Sequence, residues 1–324
     1  NVKKEIFFVK NIFSDIKINN LEKKYFEIQD EINSLLISSR ISKFQKNTLG
    51  IKFSVKSNTS KKRFFQIVNK AKQYIKKGDI FQVVLSQRFE TKLTKKPIEV
   101  YKKLRVTNPS PFMFFFNFND FQIIGASPEI LVRLRNNVIT VRPIAGTRPR
   151  GRNNKEDNLL KKDLINDKKE LSEHLMLLDL GRNDAGKVSK INTVKVTERF
   201  KIEKYSHVMH IVSNVTGVYD KKFSKFEALM AGFPAGTVSG APKIRAMEII
   251  DELEKNSRKI YAGGIGYFSA NGDFDTCIAL RTAVTKNNKF YVQAGAGIVA
   301  DSKPINEYNE TINKAKALIK SLEK

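Results

Sequence analysis

The chain is 324 residues long and carries 59 Lys and Arg against 33 Asp and Glu, a formal charge of +26. That excess alone suggests nucleic acid or an acidic membrane face as a partner, yet the lysines are dispersed among Asn, Ile and Phe and no RRM, KH or helix-turn-helix pattern accompanies them; nor is any run of about 18 apolar residues present for a membrane span, the short opening stretch NVKKEIFFVKNIF included. The single cysteine, Cys277, excludes an intrachain disulfide framework and a thiolate metal cluster, and fits a soluble protein of the reducing cytoplasm.

A chain of this length supports one large core. In chain order, residues 60–76 place Phe64, Ile67, Val68, Ala71, Tyr74 and Ile75 at helical spacing, with Thr59 or Ser60 as N-cap and Gly78 just past the end. The stretch 80–89 is rich in β-branched and aromatic residues, and alternation puts Gln82, Val84, Ser86 and Arg88 on one face of a strand. Phe112–Phe118 and Gln122–Ile124 flank Asn119-Asp120 as a hairpin, and 130–135 and 138–142 flank Asn136-Asn137 as another. Helices are predicted around 159–180, over 224–231 and after Pro242. Strands near 261–269, 275–285 and 289–294 follow, joined by Asn271-Gly272 and Asn287-Asn288 turns, and a last helix covers roughly 303–322. Hairpins with helices laid outside them imply an α+β architecture with mainly antiparallel sheets.

Two Glu-x-x-Glu pairs stand far apart, Glu170 with Glu173 and Glu307 with Glu310. Residues three apart share one side of a helix, so two such helices facing each other would make a four-carboxylate cup suited to Mg²⁺. The bland alternative is surface Glu paired with nearby Lys. Three glycine-rich stretches, RPIAGTRPRG (142–151), GFPAGTVSGAPK (232–243) and QAGAGIV (293–299), lack P-loop spacing, and the Gly295-x-Gly297 imitation of a dinucleotide fingerprint has no second strand after it. Glycines there instead let backbone N–H groups approach a small anion such as a carboxylate.

These stretches, together with DIFQVVLSQRF (79–89), NPSPFMFFF (108–116), GASPEILVR (125–133), ELSEHLMLLDLGRND (170–184), YSHVMHIVSNVTG (205–217), YAGGIGYF (261–268) and DTCIALRTA (275–283), resemble the chorismate-utilising enzymes from about Ser60 to the C-terminus, most closely the anthranilate synthase large subunits. The resemblance implies two mainly antiparallel sheets packed face to face with helices on the outer surfaces. It also implies a chorismate-binding catalytic domain over 60–324, with 1–59 as the remnant of a regulatory-side region. Members that add water to the chorismate ring carry a Lys base where this chain has Gln82, which cannot deprotonate water; ammonia brings its own lone pair. Many aminodeoxychorismate synthases carry a nucleophilic Lys where this chain has Ala145. Amination to anthranilate with loss of pyruvate, the first step of tryptophan biosynthesis, is the expected activity, with aminodeoxychorismate synthesis or a silent scaffold of the same fold as the alternatives.

By the same resemblance, Glu129 is the acid that protonates the leaving ring hydroxyl, a task that requires burial to raise its pKa. His210 lies near that hydroxyl or is an ordinary core histidine; Thr237 and Thr147 position substrate or cap turns. Tyr261 and Arg281 take the enolpyruvyl carboxylate, Arg281 sharing a strand face with Cys277, Ala279 and Ala283. Gly295, Ala296 and Gly297 receive the ring carboxylate, and Lys314 contacts substrate or merely pairs with Glu310. Glu173, Glu310, Glu170 and Glu307 hold Mg²⁺. Asn108, Pro109, Ser110 and Met113 resemble half of a tryptophan feedback site whose other half, a Leu-Leu-Glu-Ser motif, has its nearest counterpart in SLLISS (34–39), which lacks the Glu. Ammonia in the family comes from a glutamine amidotransferase subunit, and no triad for glutamine hydrolysis is present in this sequence, so such a partner is expected; neither nucleic acid nor membrane is.

Overall fold

The computed structural model describes residues 21–40, 54–205 and 208–323. The chain divides into two units, Asn1–Gly50 with Lys324, and Ile51–Glu323. Helix α1 (Leu21–Arg40) is the described element of the first. The opening stretch 1–13 and the side chains of 35–39 in SLLISS lie outside the described residues, as do 206 and 207 of the YSHVMHI motif.

The second unit starts with β1 (Lys56–Ser57), α2 (Lys61–Lys76), β2 (Gln82–Lys92), α3 (Pro97–Thr107), β3 (Phe112–Asn117), β4 (Gln122–Ser127), β5 (Ile130–Arg135), β6 (Val138–Val141) and β7 (Ile144–Pro149). It continues through α4 (Asn154–Asn166), α5 (Lys168–Gly186), β8 (Lys195–Lys204), β9 (Val208–Val218), α6 (Lys225–Ala231) and β10 (Gly240–Ala241). It ends with α7 (Lys243–Leu253), β11 (Gly264–Phe268), β12 (Phe274–Ile278), β13 (Thr282–Lys286), β14 (Lys289–Ile298) and α8 (Pro304–Ile319), closed by a 3₁₀ turn, Lys320–Leu322. The strands form two seven-stranded sheets. The first has the order β1-β2-β14-β13-β4-β3, with β10 also on β2; the second has β11-β12-β5-β6-β9-β7, with β8 also on β9. Their ladders are antiparallel.

Alternation along β2 explains how the first sheet is covered. Val83 and Leu85 pack with Phe64, Ile67 and Val68 of α2 and with Ile249 and Ile250 of α7, which leaves Gln82, Val84 and Ser86 on the opposite face. Further along, α3 and α8 cover Ile124, Phe290 and Val292 through Val100, Leu104, Ala315 and Leu318. On the second sheet, Leu178 of α5 and Ala228 of α6 lie in one cluster with Leu131, Leu134, Ile139 and Val215. Each fully buried Leu, Ile or Phe of these layers contributes on the order of 1.5–3 kcal/mol.

The predicted turns are formed: Asn136 and Asn137, and Asn287 and Asn288, all have positive φ, the geometry that tight two-residue hairpins demand. The helical region around 159–180 is split at Asp167, which ends α4 and caps α5 by accepting from the N–H groups of Lys169 at 3.0 Å and Glu170 at 3.2 Å. The last strand runs through Gly295–Ile298 rather than ending at 294, paired with Val83–Ser86 of β2.

The stretch 275–285 differs most from expectation. It is two strands, β12 in the second sheet and β13 in the first. Between them Arg281 takes φ +46, Ala279 donates its N–H to Gly263 at 2.7 Å, and Ala126 donates to Arg281 O at 3.1 Å. Arg281 therefore does not share a strand face with Cys277, Ala279 and Ala283; it stands where the chain changes partners from one sheet to the other. The β4–β5 connection makes the same crossing at Pro128-Glu129. The two crossovers lie side by side, with Ser127 Oγ donating to Ile278 O at 2.6 Å and the Ile278 N–H donating to Glu129 O at 3.0 Å. Among the described residues no helix is long and apolar enough to cross a membrane.

Candidate active site

The crossovers bring Glu129 and Arg281 into one buried neighbourhood. Glu129 is 7 % exposed, and burial pushes its pKa up to about 8, against the opposing influence of the Thr237 hydroxyl, the Lys314 and Arg281 charges and the Ile144 backbone. Burial disfavours a carboxylate more strongly here than those neighbours favour it, so the group is a protonated acid at neutral pH. The buried Thr237 hydroxyl faces that carboxyl and has no other partner. Both residues line a cavity of about 30 Å³, room for about two water molecules, together with Gly236, Leu177, Leu180 and Asp184. Arg281 forms no salt bridge among the described residues. Burial lowers its pKa, Glu129 opposing, and a half-buried guanidinium with no salt-bridge partner among the described residues is suited to receive a carboxylate from a ligand.

On the face of the first sheet away from the helices, Gly295 and Gly297 of β14 lie opposite Ser86 and Val84 of β2. Neither position has room for a side chain. A Cβ on Gly295 would stand 2.7 Å from the Tyr261 hydroxyl, and one on Gly297 2.8 Å from Gln82 Nε2. The glycines thus let Tyr261 and Gln82 lie directly over the strand, with Ala296 turned to the other side. Tyr261 is 9 % exposed and burial pushes its phenol up to about 12, so it acts as a neutral hydrogen-bonding group. Gln82 is buried and its Oε1 accepts nothing within the described chain. Lys314 of α8 donates to Gly295 O at 2.9 Å and also forms the i,i+4 pair with Glu310 at 2.6 Å.

β7 supplies Thr147 and β9 supplies His210, and the two are cross-strand partners. The His210 Nδ1 lies 3.0 Å from Gly146 O and 3.0 Å from Thr147 Oγ1. A carbonyl can only accept, so the proton sits on Nδ1 and the Nε2 lone pair is left free. Burial lowers the pKa of His210, and the Arg281 and Lys314 charges add to that effect, which keeps the ring neutral and places it in the same electrostatic neighbourhood as Glu129.

The two Glu-x-x-Glu pairs face one another. Burial raises Glu173 to about 7, and Glu170 on its own helix together with Glu307 and Glu310 on α8 push in the same direction. Burial also raises Glu170 and Glu307. α5 is fixed in this orientation by His174, fully buried, whose Nε2 meets Ser213 Oγ of β9 at 2.7 Å; burial lowers that imidazole to about 4. Lysine pairing occurs as well, Lys169 with Glu173 at 3.9 Å. Among the described residues no three His, Cys, Asp or Glu side chains close a metal site by themselves. A carboxyl group raised by burial and by the Glu307 and Glu310 charges of the facing helix nevertheless fits a hard cation that takes one or two of these carboxylates and keeps water and substrate as its other ligands.

The chorismate binding enzyme family matches residues 14–320. The chain belongs to this family. It is 61 % identical to anthranilate synthase component 1 of Cereibacter sphaeroides over 269 residues, 83 % of this chain and 54 % of that protein. To anthranilate synthase component 1 of Acetivibrio thermocellus it is 50 % identical over 322 residues, 97 % of this chain and 65 % of that protein. The crystal structure of anthranilate synthase component I from Streptococcus pneumoniae TIGR4 superposes with a TM-score of 0.83 at 46 % identity, covering 94 % of this chain and 67 % of that one. The chain spans about half the length of the curated relatives it matches.

The residues predicted from the sequence as half of a feedback site lie where α3 meets edge strand β3, next to the strand β4 that leads into the first crossover. Asn108 caps α3, its Nδ2 buried without a partner; Pro109 and Ser110 follow, and Met113 of β3 pairs with Ala126 and packs against the α3–α8 core. Sequence reasoning missed Arg148. Its guanidinium holds Asp163 at 2.6 Å, Asp167 at 2.7 Å and Glu170 at 3.4 Å, tying β7 to the start of α5. The signal was present in RPRG, adjacent to Thr147, but three acidic partners spread over 163–170 cannot be paired with one Arg from spacing alone.

Proposed function

We propose that the chain is a component I type anthranilate synthase, a lyase that aminates chorismate with ammonia and eliminates pyruvate. The observation that carries this reading is Glu129, a carboxylic acid held protonated by burial beside an unpaired Arg281 guanidinium. Likeness to relatives named anthranilate synthase component 1 supports it, as do the amide Gln82 and the methyl Ala145 at the two positions where other branches need an amine.

Arg281 and Tyr261 bind the enolpyruvyl carboxylate, and the Gly295-Ala296-Gly297 strand with Lys314 receives the ring carboxylate. Glu173 and Glu310, backed by Glu170 and Glu307, would hold Mg²⁺, which supplies positive charge for that carboxylate. Ammonia attacks ring C2 while Glu129 gives its proton to the C4 hydroxyl, which departs as water instead of hydroxide. Gln82 Oε1 accepts an N–H of the incoming amine, and Thr237 orients Glu129. His210, neutral and aligned by Gly146 and Thr147, lies beside the departing hydroxyl. Pyruvate is then eliminated and the ring becomes aromatic.

A glutamine amidotransferase partner supplies the ammonia. Cys277 cannot take that role, since it is buried and burial pushes its thiol up to about 12. The assignment extends to a cytoplasmic enzyme of tryptophan biosynthesis, with Asn108, Pro109, Ser110 and Met113 as part of a feedback site. Purified protein given chorismate and Mg²⁺ is expected to develop anthranilate fluorescence with ammonium and not with glutamine alone. Chorismate left untouched at high ammonium would refute the assignment.

A further inference from the structure

Arg258, in the segment after α7, has no role in the scheme above, yet its guanidinium donates four hydrogen bonds beside the site. Nε donates to Glu254 Oε2 at 3.0 Å and Nη2 to Glu254 Oε1 at 2.6 Å. Nη1 donates to Val238 O and Nη2 to Val84 O, both at 2.6 Å. The guanidinium carbon lies 5.5 Å from the centre of the Tyr261 ring. The side chains of Arg258 and Glu254 are only 16 % and 6 % exposed.

Each of these contacts belongs to a different piece of the site. Val238 follows Thr237, Val84 is two residues beyond Gln82 on β2, and Tyr261 lies over Gly295. The other side of the network closes on the same strands. Glu254 Oε1 accepts from the Ser86 N–H at 2.7 Å and Ser86 Oγ at 2.9 Å, and Gln293 Nε2, two residues before Gly295, donates to Ser86 Oγ at 2.8 Å. A buried ion pair in which four of the five guanidinium N–H donors are engaged confers little net stability but fixes geometry. Only arginine can do this here, because four bonds radiating from a plane that also presents a face to a ring require its fork; a lysine ammonium has three donors and no face.

We propose that Arg258 is a positioning residue, which fixes Tyr261, the Thr237 segment and the Gln82 strand relative to one another so that all three meet the substrate in one arrangement. This rests on the chorismate-amination reading, and its test separates the two. Protein labelled with 3-fluorotyrosine gives a ¹⁹F resonance for Tyr261, assigned by its loss in Tyr261→Phe. In Arg258→Lys, which keeps the charge, that resonance shifts or splits while those of distant tyrosines stay in place. With ammonium as substrate, kcat/KM for chorismate falls by about 10²-fold, mainly through KM, the scale expected of an ångström-sized misplacement. The same substitution placed on Tyr261→Phe has a smaller effect than on wild type. Should Arg258→Lys fail to fold, Glu254→Gln carries the test. It retains the two carbonyl bonds and is expected to move the Tyr261 resonance less, with a smaller rise in KM. A folded variant whose Tyr261 resonance is unmoved overturns the positioning role whatever its turnover. A wild-type protein that makes no anthranilate overturns the functional reading instead, and the resonance still decides the positioning role.

Discussion

Glu129 reaches the site on a crossover between two sheets, whereas Glu170, Glu173, Glu307 and Glu310 reach it on two helices, and these supports leave the carboxyl groups in different states. At the crossover, neighbouring backbone and packed side chains shut out water, so burial outweighs the opposing donors and cations and Glu129 is held as an acid at about 8. On the helices the groups are open on one side, with Glu173 30 % and Glu310 45 % exposed, and lysines answer them. Burial raises the carboxyl groups at both places, but at the first it is opposed by neighbouring donors and cations, while at Glu173 nearby carboxylates on both helices add to it, a gathering of acidic groups that a cation is left to balance.

The comparison breaks most directly at Glu129. Glu129→Gln is expected to lower kcat by about 10²–10⁴-fold, the range for losing a general acid, with the fold intact. Because the folded pKa lies above its unfolded value, wild type binds an extra proton between roughly pH 4.5 and 8 and loses that stabilisation as pH rises through about 8. The Gln variant has no such loss, so its melting temperature relative to wild type should improve between pH 7 and pH 9. A variant destabilised most at pH 9 would contradict burial as the cause of the shift.

Arg281→Lys comes next. Replacing a planar fork by a point charge should raise KM for chorismate by roughly 10- to 100-fold, corresponding to about 1.5–3 kcal/mol for a charged hydrogen-bonded pair, while kcat changes little. Steady-state kinetics with ammonium check this. On the helical side, Mg²⁺ should raise the melting temperature of wild type in a concentration-dependent way. Glu173→Gln combined with Glu310→Gln should abolish that rise while changing the melting temperature in Mg²⁺-free buffer little, because the only ion pairs lost are those to the half-exposed Lys169 and Lys314. The smallest effect is expected at Asp167→Ala. Losing the cap of α5 should lower stability by about 1 kcal/mol, read by urea denaturation, with activity reduced only as far as Glu170 and Glu173 lose alignment.

The helical carboxylates were legible in the sequence because i,i+3 spacing is a local rule and needs no partner to be read. The hairpin turns were legible for the same reason, Asn at φ > 0 being a property of two residues. Arg281 stands on a different piece of structure from the single strand that its sequence suggests. DTCIALRTAVT looks like one continuous strand, and nothing local shows that its hydrogen-bond partners change from Gly263 to Ala126 part-way along. Strand β8 is not legible either, since six of the ten residues of KVTERFKIEK are charged without a two-residue alternation and its pairing with β9 is interrupted by two register shifts. The requirement that Glu129 be buried could be stated from chemistry; only the packing of Thr237, Ile144 and the second crossover around it shows how burial is achieved.

The most direct test of the account is to incubate the protein with chorismate, Mg²⁺ and ¹⁵N-ammonium and to weigh the product. The account predicts anthranilate carrying one ¹⁵N and one equivalent of pyruvate, both lost in Glu129→Gln. A labelled product that keeps the enolpyruvyl group, an unlabelled hydroxylated isomer, or unchanged chorismate would contradict it.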